Sequence, residues 1–288
     1  MTETTRTSHT FVDAHGVTIH YHVWAAAAPR AVVQLVHGVG EYATRYDRFA
    51  RALVAAGYTV YGDDHRGHGA TGLEQWDGDH ARLGKLGPGG VRAAIAAVQQ
   101  LTGLIREQNP DVPLALFGHS LGSLFSQKII GTNADDYDAV VLSGTAYRTL
   151  TRMNSGDLNA KYRQPGGTGY EWLSRDPEVW AAFHADPLTF DAKIAKLFGI
   201  REGLRLYGTP KRLARDLPML IMIGAEDSVG GPKSVELLAA AYRAKGPLSD
   251  VTLTIYPGGR HEMLNETNYA EVQADVVAWL DARFPSRG

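Results

Sequence analysis

The sequence contains no cysteine. That absence removes disulfide frameworks, thiolate zinc sites, iron–sulfur ligation and thiol nucleophiles together, and the fold needs no oxidising compartment. A surplus of one charge is also lacking: 29 basic against 31 acidic residues leave a net charge of −2. Proteins that bind nucleic acid carry a basic footprint matched to phosphate, so nucleic acid is not an expected partner. Long apolar runs are missing too. The longest, residues 218–223 and the alanine-diluted 91–98, fall far short of the ~20 residues of a bilayer span. The start, residues 1–10, is polar and lacks the basic-then-apolar pattern of an export signal. The expectation is a soluble, cytoplasmic protein.

The chain is 288 residues long, close to twice the usual ~150-residue domain, and its patterning alternates. Strands are expected over residues 18–24, 31–37, 58–62, 113–118, 137–142, 218–224 and 251–256, from short β-branched or apolar runs bounded by turn residues. Helices are expected over 46–56, from Pro88 to the Asn109-Pro110 break, over 121–130 with Gly131 as the stop, over 232–245 and over 269–284. Strand and helix in alternation imply parallel neighbours joined by crossovers, with helices on both faces of one doubly wound sheet. Between residues 144 and 217 the alternation fails, and prolines, glycines and aromatics punctuate short helical fragments. This reads as an inserted helical cap, whose aromatics either pack on the core or line a substrate groove. The expected division is a core of residues 1–144 and 218–288 with a cap of 145–217.

Gly118-His119-Ser120-Leu121-Gly122 follows an expected strand and opens an expected helix. With 32 glycines in the chain the bare pattern is weak; the setting is what makes it a nucleophile elbow. A sharp turn there projects Ser120 above the sheet beside a helix N-terminus that favours negative charge. A serine hydroxyl needs an imidazole base, and the imidazole needs a carboxylate to orient it. Downstream strand ends supply both. Gly224-Ala225-Glu226-Asp227 follows one strand and Pro257-Gly258-Gly259-Arg260-His261 the next. The candidates are His261 as base and Asp227 as its partner, with Glu226 as rival acid. An oxyanion formed at Ser120 needs two backbone donors. Leu121 N–H is one candidate, and Val39 N–H, in the loop His37-Gly38-Val39-Gly40 after another strand, is the second.

These residues resemble the serine α/β-hydrolases, and more narrowly the monoacylglycerol lipase and lysophospholipase branch. The resemblance also rests on Glu41-Tyr42 and Arg45-Tyr46, Asp64-His65-Arg66-Gly67-His68-Gly69, Ala185-Asp186-Pro187-Leu188, and Tyr256 through Glu262. It implies an α/β-hydrolase fold with an inserted cap and an acyl-enzyme mechanism on monoacylglycerols or related lipid esters, without metal or other cofactor. Ser120, Asp227 and His261 match the family's triad, and Val39 and Leu121 its oxyanion hole. Glu41 and Arg45 match positions at the glycerol end of the pocket, with a structural ion pair as the competing reading. Relatives of the animal monoglyceride lipase type carry a tyrosine where this chain has Phe183, which removes a hydroxyl near the polar head. Tyr42 and Ser123 also depart from the family's usual histidine and glycine.

Asp63, Asp64, His65 and His68 sit in a glycine-rich turn that resembles the family's structural turn, and no metal is expected there. Arg201, Arg205, Lys211, Arg212 and Arg215 form a basic cluster beside the cap, read as a solvated face or as a weak, transient attraction to anionic lipid surfaces. Other readings of the whole chain are a lysophospholipase or general carboxylesterase, an aminopeptidase or amidase with an acidic patch for the substrate amine, and a non-catalytic binding protein of the same fold.

Overall fold

The computed structural model describes residues 6–286. Eight strands form one sheet in the order β1-β2-β4-β3-β5-β6-β7-β8. They are β1 (Arg6–Val12), β2 (Thr18–Trp24), β3 (Ala31–Val36), β4 (Tyr58–Asp63), β5 (Leu114–His119), β6 (Ala139–Ser143), β7 (Met219–Gly224) and β8 (Val251–Tyr256). Pairings from β4 through β8 are parallel, whereas β1 with β2 and β2 with β4 are antiparallel. The helices are α1 (Asp47–Ala55), α2 (Gly69–Gln75), α3 (Gly90–Gln108), α4 (Leu121–Asn133), α5 (Pro177–Ala185), α6 (Ile194–Phe198), α7 (Ile200–Leu204), α8 (Pro232–Lys245) and α9 (Tyr269–Asp281).

Strand residues alternate between two hydrophobic layers, as the period of two in an extended chain requires. Val32, Leu116, Val140 and Ile221 pack with Val98 and Leu101 of α3, Phe125 of α4 and Leu238 of α8. Their neighbours Val33, Phe117, Val141 and Leu220 pack on the other face with Phe49 of α1 and Val276 of α9. The chain leaves β3 toward β4 on one side, while β5 pairs with β3 on the other. The carboxyl ends of β3 and β5 therefore flank the crevice where order reverses, the usual place for a ligand site in an open α/β sheet.

Four details differ from the sequence expectation. β1 was not anticipated: it is a polar edge strand, exposed over nearly its whole length, so no apolar alternation marks it. The glycine-rich α2 has poor intrinsic propensity, and Asp64 holds its start by accepting from Ala70 N–H at 2.8 Å. Pro88 does not occupy the first turn of α3; Gly89, with φ of 80°, is the N-cap. Helix α4 runs through Gly131 to Asn133 instead of stopping, and the stem of Lys211 lies over Gly131, 3.2 Å from where a Cβ would sit.

Residues between β6 and β7 leave the sheet and carry the short helices α5, α6 and α7. Among the described residues no helix is long and apolar enough to cross a membrane.

Candidate active site

Ser120 stands between β5 and α4 with φ of 51° and ψ of −120°. A side chain in that left-handed region costs about 1–3 kcal/mol and persists only where the surroundings enforce it. The flanking glycines are part of that enforcement. A Cβ on Gly122 would collide with Val36 O, and one on Gly118 would lie 2.7 Å from Gly122 O, so α4 starts tight against the end of β3. Ser120 N–H donates to Ser143 O at 3.0 Å, tying the turn to β6.

The loop after β8 carries His261, and the loop after β7 carries Asp227. Their side chains meet: His261 Nδ1 lies 2.9 Å from Asp227 Oδ2. Asp227 Oδ1 accepts from Val229 N–H at 2.7 Å, so both carboxylate oxygens are used. Glu226 points elsewhere, pairing with Lys161 at the surface, and the geometry favours Asp227 over its rival. The other imidazole nitrogen, His261 Nε2, is buried and has no hydrogen-bond partner among the described residues. Burial pulls the His261 pKa down, but the charge and hydrogen bond of Asp227, with Glu262 and Glu41 nearby, outweigh it and hold it above the ordinary value. His119, with its ring centroid 4.8 Å from that of His261, is pushed down to about 3 by burial and by His261. It adds no positive charge beside the base.

Two spaces open beside Ser120. One is a cavity of about 270 Å³ that Val39, Leu121, Leu124, Met153 and Leu206 line together with Ser120. Its walls are mostly apolar, and Leu150, Ile200 and Leu204, which also line it, are exposed. The other is a compartment of about 10 Å³, near the size of one water. Ser120 and His261 share it with Glu41, Tyr170, Phe183 and Glu262. Val39 borders both spaces. Leu121 is the first residue of α4, so its N–H has no intrahelical acceptor.

Glu41 and Arg45 are committed inside the protein. Glu41 Oε1 accepts from Gly38 N–H at 2.5 Å and from the Tyr46 hydroxyl at 2.6 Å, and Oε2 accepts from Arg45 at 2.9 Å. Arg45 also forks onto Glu262 at 2.9 and 3.2 Å, and its guanidinium lies 4.6 Å from the Phe183 ring centroid. Burial raises the Glu41 pKa against the pull of Arg45, whereas Arg45 and its hydrogen bonds hold Glu262 below the usual carboxylate range despite burial. Sequence reasoning missed Glu262, Tyr46 and Tyr170 as parts of the site, and held Trp172 only as one of the aromatics that either pack on the core or line a groove. Glu262 had one signal, its place directly after His261.

The histidines of the glycine-rich turn also have partners. His65 contacts Asp63 at 2.7 Å and stacks on His37 at 3.7 Å between centroids. His37 Nε2 accepts from the backbone N–H of His65 at 3.0 Å, which puts its proton on Nδ1, and that nitrogen donates to Gly38 O at 2.6 Å. The turn thus supports the loop that presents Val39.

Residues 27–268 match the family model described as serine aminopeptidase, S33. The chain belongs to this family. A monoacylglycerol lipase of Mycolicibacterium smegmatis is 34% identical over 97% of this chain and 99% of its own length. The mouse monoglyceride lipase is 26% identical over 96% of this chain and 91% of its own. Among solved structures, a thermostable carboxyl esterase from Bacillus coagulans, bound to glycerol, superposes with a TM-score of 0.84 at 22% identity, covering 97% of this chain and 99% of that one. A soluble variant of the Saccharomyces cerevisiae monoglyceride lipase, bound to a substrate analogue, gives 0.75 at 23%, covering 99% and 97%. These two likenesses establish the α/β-hydrolase fold. The family match and the lipase relatives together make this chain a serine ester hydrolase.

Proposed function

We propose that the hydrolase cleaves monoacylglycerols through an acyl-enzyme on Ser120. His261 Nε2 takes the hydroxyl proton as Ser120 Oγ attacks the ester carbonyl, while Asp227 holds the imidazole tautomer and stabilises the imidazolium. The N–H groups of Val39 and Leu121 receive the oxyanion. The tetrahedral intermediate collapses as His261 returns the proton to the departing glycerol oxygen. Water, activated by the same imidazole, then releases the fatty acid and restores Ser120. The observation that carries this reading is the Asp227–His261 contact of 2.9 Å with the second nitrogen left buried and unpartnered beside Ser120.

The apolar cavity supports an acyl-chain site, since each buried methylene contributes ~0.8 kcal/mol. The small compartment on the other side of Ser120 supports a site for the leaving group. Residues 145–217 act as the cap over a core of residues 1–144 and 218–288, of which residues 1–5 and 287–288 lie outside the described residues. The exposed Leu150, Ile200 and Leu204 at the cavity support transient contact of this cap with a lipid surface. The basic cluster contributes less than its sequence suggests, because Arg205 pairs with Glu202 and Arg215 lies 3.7 Å from Asp138. The proposed site of action is the cytoplasm, which cell fractionation tests.

The test is turnover of a monoacylglycerol, a lysophospholipid, a simple ester and an amino-acid arylamide, with Ser120→Ala as control. Turnover of the arylamide alone overturns the ester reading. The acidic groups that an amine would need are Glu41 and Glu262, and both are engaged by Arg45.

A further inference from the structure

The leaving-group compartment presents few free polar groups. Glu41 serves Gly38, Tyr46 and Arg45. Glu262 serves Arg45 and, at 2.9 Å, Asn265. His119 Nδ1 contacts Ser143 Oγ at 3.2 Å, and His261 Nε2 is reserved for the reaction. Phe183 brings a ring without a hydroxyl, in a wall where a polyol head group has to find donors and acceptors.

The Trp172 indole N–H, without a partner among the described residues, can only donate, whereas Tyr170 offers both a donor and an acceptor. Tyr170 lines the same compartment, and its ring packs on Phe183 with centroids 4.7 Å apart. The hydroxyl has no hydrogen-bond partner among the described residues. A half-buried phenol whose tip is unpaired while its ring is packed is suited to accept from and donate to an incoming hydroxyl. The alternative, a purely apolar wall, gives little discrimination between a glyceryl ester and a simple alkyl ester, because rejection by binding is strong only where a polar group of the site would be left unpaired.

We propose that Tyr170 is a specificity-determining residue whose hydroxyl hydrogen-bonds a free glycerol hydroxyl of the monoacylglycerol. The inference rests on the monoacylglycerol reading above. At about 10 Å³ the compartment does not hold a glycerol unit as it stands, so the head group enters as the Tyr170–Phe183 wall yields.

The experiment compares kcat/KM on a 1-monoacylglycerol and on the methyl ester of the same fatty acid, for the wild type, Tyr170→Phe, and Tyr170→Phe combined with Phe183→Tyr. The expected result for Tyr170→Phe is a roughly 5- to 10-fold loss on the monoacylglycerol with the methyl ester within about twofold. The double variant recovers part of the loss by returning a hydroxyl to the adjacent ring. An equal loss on both esters makes Tyr170 a packing residue and overturns the proposal, as does no loss on either. A wild-type protein that turns over the methyl ester but not the monoacylglycerol overturns the substrate reading itself, and this proposal with it. A wild type active on both, with an indifferent Tyr170→Phe, overturns this proposal alone.

Discussion

Glu41 separates two accounts of the site. If it braces the loop that carries Val39, its removal acts on every ester; if it touches the glycerol unit, its removal acts on monoacylglycerols alone. The structure favours the brace. Gly38 N–H and the Tyr46 hydroxyl both donate to one carboxylate oxygen, at 2.5 and 2.6 Å, in a residue 3% exposed. Glu41→Ala strands both donors, and each buried unsatisfied group costs about 1–3 kcal/mol. The expected destabilisation is therefore about 2–6 kcal/mol, a large share of the ~5–15 kcal/mol that holds a domain together. Loss of a correctly aimed oxyanion donor costs about 10²–10³ in kcat, so a loosened Val39 loop lowers kcat by roughly 10²-fold. Glu41→Gln keeps one acceptor oxygen for both donors, and Arg45 keeps Glu262 as its counter-ion. It should lose only about 1–2 kcal/mol and retain most of kcat. Urea unfolding, with kcat and KM on a monoacylglycerol and its methyl ester, decides the matter. A Glu41→Ala variant of unchanged urea midpoint, altered only in KM for the monoacylglycerol, would refute the bracing argument.

Three other outcomes follow from the geometry. The wild-type kcat/KM should fall as pH drops through the His261 pKa, which lies above the ordinary 6.5, because only the neutral imidazole serves as base; Asp227→Asn should lower kcat by about 10⁴ and move this acid limb to lower pH, since burial, the largest influence, is then opposed only by Glu262 and Glu41, and a stationary limb would argue against the pairing. Across a homologous series of monoacylglycerols, kcat/KM should rise roughly fourfold per methylene until the cavity of about 270 Å³ is filled, and because Leu158 also lines this cavity, Leu158→Trp should bring the plateau to shorter chains; a flat series in both proteins would place the acyl chain elsewhere. Glu266 is fully buried and accepts from Arg175 N–H, Arg175 Nε, Arg260 N–H and Thr267 N–H, so Glu266→Gln should cost about 2–3 kcal/mol and lower kcat severalfold through the His261 loop, an unaltered kcat showing that loop to be held without it.

The parts legible in the sequence are those whose physics is local. β3, β5 and β7 are buried along their whole length and read as short, mainly apolar runs, interrupted by Gln34 in β3 and closed by His119 in β5, and the elbow was legible because strand, small residues and helix occur in unbroken succession. β1 was not, since an exposed edge strand has no burial to impose alternation. The meeting of Asp227 with His261 was readable as a shared consequence of two adjacent strand ends. The partners of Glu41 were not. Gly38 and Tyr46 lie three and five residues away, close enough to guess, but Glu262 stands 217 positions from Arg45, and nothing in either string indicates that one guanidinium serves both carboxylates. Tyr170 was invisible for a similar reason. Its proximity to Phe183 arises from packing between non-repetitive cap segments, where neither a period of two nor one of 3.6 operates.

The proposed cap of residues 145–217 is not joined to the proposed core evenly, and this bears on how an ester would reach Ser120. At its front, Arg260 donates to Glu171 O at 2.5 Å and Ser174 O at 2.9 Å, and Glu262 N–H donates to Leu173 O at 2.7 Å. Glu266 holds Arg175 in the same seam, and Trp172 lies with its ring centroid 4.7 Å from that of His261. At its rear the ties are the Tyr42 hydroxyl to Asp186 at 2.6 Å, His80 to Pro187 O at 3.0 Å, Phe190 N–H to Gly40 O at 3.2 Å, Lys85 to Lys196 O at 2.7 Å and Val91 N–H to Glu202 at 3.0 Å. Hydrogen bonds to charged groups are worth about 1.5–3 kcal/mol each and less where they are exposed; the Arg260 and Arg175 bonds of the front are part-buried, whereas the Lys85 and His80 bonds of the rear are exposed. Moving the front therefore costs more, and it drags Trp172 across the imidazole whose position catalysis needs. Moving the segment around Ile200 and Leu204 leaves His261 and Asp227 in place. The rear also carries Ile200 and Leu204, the exposed apolar residues at the acyl cavity, so the segment that is cheapest to displace is the one that an acyl chain meets first.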